Sequence, residues 1–306
     1  MLRLFLLLLT ATVAAEENAP ARRDPTEPTS LEAEYAKLLA ADDAAQADID
    51  SWSREQAGTK SSDAAAEAAL KQRIAERLEP VRKAYEAFLA RHPNHAQAHL
   101  TYGNFLSDRQ DESGARAQWE KALQLDPGNA DAYNNLAGAY SESERVNLAF
   151  EYFAKAITLR PTEASYYHNF ANTLYVLRRR AMDYYKINEQ QVLARALGLY
   201  SNAVRLDPKN FAFAWDFAQT FYVLDPLPTD AALQAWTNAL PIAPQEIDRQ
   251  GVLVHFARLK MLAGRLAEAR AQLGVVTDEK YSQIKARLLA GIAEREAAVA
   301  KKPGSP

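Results

Sequence analysis

The sequence predicts an all-α chain, a solenoid of antiparallel helical hairpins. Three observations carry that expectation. Pro93, Pro127 and Pro161 recur at intervals of 34 residues, the period of a helix–turn–helix unit. Ala115 and Ala149, Ala122 and Ala156, and the aromatic pair Trp119 and Phe153 keep the same interval. Cysteine is absent, so the fold has to rest on apolar packing rather than on cross-links.

Residues 1–15 read as a secretory signal peptide. Arg3 gives a positive start, Leu4 to Leu9 an apolar core, and Val13-Ala14-Ala15 a small-residue cleavage site. The apolar run is shorter than the roughly 20 residues that span a bilayer. Residues 16–30, with Pro20, Pro25 and Pro28 among charges, read as a linker.

Residues 31–94 are expected to form an N-terminal helical hairpin and half-repeat that caps the stack. Thr29 and Glu32 make a capping-box signature, and Leu31, Tyr35, Leu38, Ala45, Ile49 and Trp52 place one apolar stripe on a long helix. Gly58 to Ser62 break it. Asp63 opens a second helix with Leu70, Ile74 and Leu78, and Pro80 suits the first turn of the helix after that. A second reading of the stripe is a heptad-like seam that joins two copies as a homodimer.

Residues 95–279 hold the repeats. Residues 96–129 place His99, Tyr102-Gly103 and Leu106 on a first helix, then Ala115, Trp119 and Ala122 on a second, and end at Pro127. Residues 130–163 repeat this as Tyr133, Leu136-Ala137, Tyr140, Ala149, Phe153, Ala156 and Pro161. Small residues let paired helices approach, aromatics fill the gap between hairpins, and proline stops each unit because it cannot donate the helical hydrogen bond. This pattern resembles the tetratricopeptide repeat, which implies a right-handed superhelix of hairpins with a concave inner face. The resemblance covers roughly two thirds of the chain. Degenerate copies follow over 164–210, 211–246 and 250–279, marked by Phe170-Ala171, Phe217-Ala218 and Phe256-Ala257.

The third copy carries an insertion of 13 residues at about 178–190, with Arg178-Arg179-Arg180, Met182, Tyr184, Tyr185 and Ile187. Either its composition marks a partner contact, or the first helix runs on and Tyr184 or Tyr185 packs on the neighbouring hairpin. Residues 280–300 are expected to form a C-terminal capping helix with Ile284, Leu288 and Ile292 on one face. Residues 301–306 read as a tail.

The net charge of −3 argues against a nucleic-acid partner, which asks for a basic face. No glycine-rich phosphate loop and no nucleophile elbow occurs, so no catalytic residue and no cofactor is expected. His92, His95 and His99 cluster at a spacing that would suit a metal. His99, however, fills a core position and no carboxylate stands beside them, so no metal site is expected. His168 and His255 are each expected to face the groove alone, as hydrogen-bonding groove residues.

The resemblance implies which residues line that groove. In the family, the second, fifth, sixth, ninth and twelfth or thirteenth residues of each first helix point inward. Here the implied residues are Gln97, Leu100, Thr101, Asn104 and Asp108, then Asp131, Asn134, Asn135 and Glu142, then Ser165, His168, Asn169, Asn172 and Tyr175. Trp215, Asp216, Gln219 and Tyr222 follow, then Val254, His255, Arg258 and Met261. Some relatives clamp acidic peptide C-termini with two asparagines and three cations. Asn104 and Asn135 match the asparagines, but Leu100, Ser165 and Asn169 stand where the cations would be, so that ligand is not expected. Asn104, Asn135, Asn169 and Asn172 instead suggest an amide ladder for a peptide backbone, since an amide both donates and accepts.

The expected function is an exported, non-catalytic scaffold, periplasmic or extracellular and not membrane-spanning. It holds an extended peptide or partner helix at Asn104, Asn135, His168, Asn169, Asn172, Trp215, Gln219, Tyr222 and Arg258. The alternatives are a metal-binding or enzyme-accessory envelope factor and a structural oligomer joined through the N-terminal helices.

Overall fold

The computed structural model describes residues 30–58 and 64–300. The expected signal peptide, the linker up to Thr29 and the tail lie outside these residues. Among them there are fourteen α-helices and no strand, and no helix is long and apolar enough to cross a membrane. The chain divides into two compact units, 1–91 and 92–306.

The first unit is a single helical hairpin, α1 (Ser30–Gly58) and α2 (Ala64–Arg91). Early residues of one helix meet late residues of the other. Arg91 pairs with Glu34, Tyr35 packs on Phe88 at 5.6 Å between ring centroids, and Arg77 pairs with Asp48 at 2.7 Å. The helices are therefore antiparallel. From the expected stripe, Leu38 and Ala45 are buried. Pro80 lies inside α2 and does not begin a new helix. An internal proline removes one helical hydrogen bond, but Leu78, Val81, Tyr85 and Phe88 on either side of it are all buried, and their packing outweighs the local penalty.

The second unit stacks five hairpins: α3 (Ala96–Ser107) with α4 (Glu112–Leu125), α5 (Ala130–Ser141) with α6 (Val146–Leu159), α7 (Ala164–Val176) with α9 (Glu189–Leu206), α10 (Phe211–Thr220) with α11 (Thr229–Ala239), and α12 (Glu246–Leu262) with α13 (Leu266–Gly274). The second helix of each of the first four hairpins also leans on the first helix of the next, as in a one-dimensional solenoid. Side chains start several of these helices by accepting from an early backbone N–H: Asp111 for α4, Asn129 for α5 and Asn210 for α10.

The periodic alanines explain how close the helices come. Ala115, Ala122, Ala149, Ala156, Ala196 and Ala203 are completely buried. Gly103 is the tightest point, because a Cβ there would stand 2.4 Å from the Trp119 indole nitrogen. The large side chains Phe150, Phe153 and Trp236 fill the spaces the small residues leave.

The insertion is not an extension of the helix before it, although its tyrosines pack on the neighbouring hairpin as the second reading expected. α7 stops at Val176, and a separate short helix, α8 (Arg178–Tyr185), follows. Lys186 ends α8 in the left-handed region (φ 56°), and Asn188 with Gln191 forms the capping box of α9. Tyr184 and Tyr185 pack on Phe150 of the preceding hairpin at 5.3 and 5.7 Å, and burial pushes the Tyr185 phenol up to about 12. Arg178 pairs with Glu189 at 2.6 Å. At the C-terminal end, α14 (Ser282–Ala300) buries Leu288 and Ile292 against α12 and α13, while Ile284 stays exposed.

Candidate functional site

The first helices α3, α5, α7, α10 and α12 carry most of the implied groove residues, and Asp108, Glu142 and Tyr222 lie just past the ends of α3, α5 and α10. Asparagines from three consecutive hairpins join into one hydrogen-bonded chain. Asn169 Nδ2 donates to Asn134 Oδ1 at 3.1 Å, Asn134 Nδ2 donates to Asn135 Oδ1 at 3.1 Å, and Asn135 Nδ2 donates to Asn104 Oδ1 at 2.7 Å. The Trp119 indole closes it, donating to the same Asn104 oxygen at 2.9 Å. These residues border a cavity of about 670 Å³ that reaches from Asn104 to Thr173.

Aromatics of two second helices hold groove amides by their polar tips. Trp119 holds Asn104, and in the third hairpin the Tyr200 hydroxyl donates to Asn172 Oδ1. Burial holds the Tyr200 phenol well above the usual tyrosine range, so it stays protonated as a donor. The middle hairpin differs. Phe153 has no polar tip, and Gly138 occupies the place equivalent to Asn104 and Asn172, 34 residues from each. A Cβ at Gly138 would meet nothing within 4 Å. Read as packing residues alone, Trp119 and Tyr200 gave no hint of this role. The legible signal was that a buried indole or phenol needs a partner for its polar tip.

His168 is not alone. Its Nε2 lies 2.8 Å from Asp216 Oδ2, its ring packs on Phe213 at 4.5 Å, and Asn172 Nδ2 lies 3.4 Å from the ring nitrogens. His255 is not alone either. It stacks on Trp236 at 4.2 Å and 5°, meets the edge of Trp215 at 5.1 Å, and shares a 3.2 Å hydrogen bond between Nδ1 and the Tyr222 hydroxyl. Arg258 covers the outer face of Tyr222, with its guanidinium carbon 4.3 Å from the ring centroid. Burial, then the Arg258 charge, lowers the His255 pKa to about 4, so this imidazole is neutral near pH 7. Gln219 is half-buried on α10.

The structure thus brings Asn104, Asn135 and Asn169 into one row, ties Asn172 to His168, and sets Trp215, Tyr222 and Arg258 in a separate aromatic cluster. Three implied groove residues face elsewhere. Leu100 and Val254 are buried, and Met261 packs against α14 beside Gly291. The histidines near residue 95 serve the fold: His95 accepts from the Ala98 N–H as the cap of α3, and both His99 ring nitrogens bond, to Gln118 at 2.6 Å and to the Pro93 carbonyl oxygen at 3.0 Å.

The fold and the row define the class, a helical-hairpin repeat protein with a polar concave face. Two family models agree, a TPR repeat over residues 103–144 and a tetratricopeptide repeat over 130–163. Residues 103–163 of the chain are thus tetratricopeptide repeats. Among solved structures it is similar to YrrB, described as a TPR protein with an unusual peptide-binding site, at 17% identity and a TM-score of 0.53, covering 67% of this chain and 97% of that one. It also matches a thermophilic TPR protein of Thermus thermophilus, at 22% identity and a TM-score of 0.42, covering 65% and 99%. No curated protein matches the chain.

Proposed function

We propose that the chain is an exported, non-catalytic scaffold that holds an extended peptide segment of a partner protein along its concave face. One observation carries the reading: the row Trp119–Asn104–Asn135–Asn134–Asn169 borders an open cavity of about 670 Å³. Among the described residues, each of Asn134, Asn135 and Asn169 uses one of its two amide donors within the row, which leaves a second for a peptide carbonyl. Such contacts read backbone rather than side chains and suit a sequence-tolerant partner. YrrB, described as having a peptide-binding site, supports the assignment by fold alone. The exported setting is supported by Arg3, the Leu4–Leu9 run and Val13–Ala15.

The test is retention of short unstructured peptides from a random library on immobilised protein, followed by calorimetry of the retained sequences. Changing Asn135 and Asn169 together to Ala should weaken their binding by about 1–3 kcal/mol. Unchanged affinity would place the binding surface elsewhere.

A further inference from the structure

One residue beside the amide row has no side chain where its equivalents in the flanking hairpins have an amide, and the cavity it borders is acidic. Asn104, Gly138 and Asn172 are equivalent residues of three successive hairpins, and only the middle one has no side chain. The space over Gly138 is open to at least 4 Å from where a Cβ would be. Ala139 and Phe153 are among the apolar residues that line the same cavity. The same cavity is bordered by the carboxylates Asp108, Glu112 and Glu142 and by no Lys, Arg or His. Those three carboxylates make no ion pair among the described residues, unlike Asp131, which Arg160 holds at 3.0 Å one hairpin face away.

An open slot over Gly138, between the positions of two amides and in a cavity edged by unneutralised carboxylates, fits one kind of side chain: an aliphatic stem that ends in a cation. We infer that Gly138 opens a specificity subsite for a lysine or arginine of the bound peptide. The stem lies over Gly138 and Ala139, and the charged head reaches Asp108 and Glu142. This rests on the peptide-groove reading above and adds selectivity to it. The backbone row tolerates any sequence, and the slot selects one cationic residue in it. The stem can bury apolar surface while the head stays in water, and the carboxylates steer a basic segment toward the groove.

The same random peptide library tests the inference, with retained sequences read position by position. Lys and Arg should be enriched over Glu at one position. Gly138→Leu fills the slot. It should fold at least as well as the parent, since nothing lies within 4 Å and Leu is the better helix former. The enrichment should vanish in Gly138→Leu. In Asp108→Asn with Glu142→Gln, affinity for the selected peptides should fall about fivefold, the size of one partly exposed ion pair. Peptides that are retained in an Asn135- and Asn169-dependent way without cationic enrichment overturn the inference and leave the groove reading standing. So does an enrichment that survives both slot variants. Retention of no peptide, or retention indifferent to Asn135 and Asn169, removes the groove reading and the subsite together.

Discussion

Asn135 and Asn104, 31 residues apart on consecutive hairpins, share a 2.7 Å hydrogen bond in which Asn135 Nδ2 donates to Asn104 Oδ1. The same oxygen accepts the Trp119 indole N–H at 2.9 Å. With two donors directed at Oδ1, the Asn104 amide has one orientation. The sense then propagates. Asn134 and Asn169 donate in the same direction along the row, toward Trp119. The concave face is thus a directional array of amides fixed from one end.

That anchor can be removed without removing its ring. Trp119→Phe keeps most of the packing against Gly103 but deletes the donor. Stability should fall by about 1 kcal/mol, and affinity for library-selected peptides should fall as well, because Asn104 is free to flip. Thermal melts and calorimetry on one preparation check both. Unchanged binding would show that the orientation of Asn104 does not matter.

Two glycines should respond to the same substitution with opposite signs. In Gly103→Ala the new methyl meets the Trp119 ring at 2.4–2.5 Å and the Ala115 carbonyl oxygen at 3.1 Å. Overpacking of about 1–3 kcal/mol exceeds the gain of up to about 1 kcal/mol in helix propensity, so this variant should be less stable. In Gly138→Ala only the propensity gain remains, and the variant should be more stable by about 0.5–1 kcal/mol. Denaturant midpoints of the pair measure the contrast.

α8 is expected to be structural, because Tyr184 and Tyr185 cover Phe150 of the preceding hairpin. Replacing 178–190 with a short Gly-Ser turn should lower the melting temperature and expose apolar surface to a fluorescent dye. The milder Tyr185→Ala should cost about 2 kcal/mol. A replacement that keeps the parent's melting temperature would contradict this.

His255 should make the protein acid-sensitive in a defined window. Its pKa is lowered from 6.5 to about 4 in the folded chain, so the unfolded chain takes up the proton first as pH falls. The contribution is whole above pH about 6.5 and is lost progressively down to pH about 4. At 1.36 kcal/mol per unit, the full loss is about 3 kcal/mol. His255→Phe keeps a ring over Trp236 and cannot be protonated. Between pH 5 and 6.5 its stability should change less with pH than that of the parent, as equilibrium unfolding at several pH values would show.

Export is checked by N-terminal sequencing of protein recovered outside the cytoplasm of the expressing cell. The chain should begin at Glu16, after cleavage behind Ala15. A mature protein that still starts at Met1 would remove the exported setting.

The sequence by itself determined the hairpin repeat, because packing constraints recur with the repeat. Ala115, Trp119, Ala122 and their partners 34 residues on are local choices that every hairpin must make again. It also named Asn104, Asn135, Asn169 and Asn172, through the family resemblance. Tertiary structure alone decided how those amides are wired. Each bond in the row except Asn134–Asn135 joins different helices, over separations of 15, 31 and 35 residues, and no periodicity encodes which donor finds which acceptor. The same holds for His168 with Asp216, 48 residues apart, and for His255 on Trp236. Pro80 and α8 mark the other limit. A local signal to stop a helix at Pro80 was outweighed by burial on both sides of it, and the fate of residues 178–185 depended on Phe150, which offered a surface to fold against.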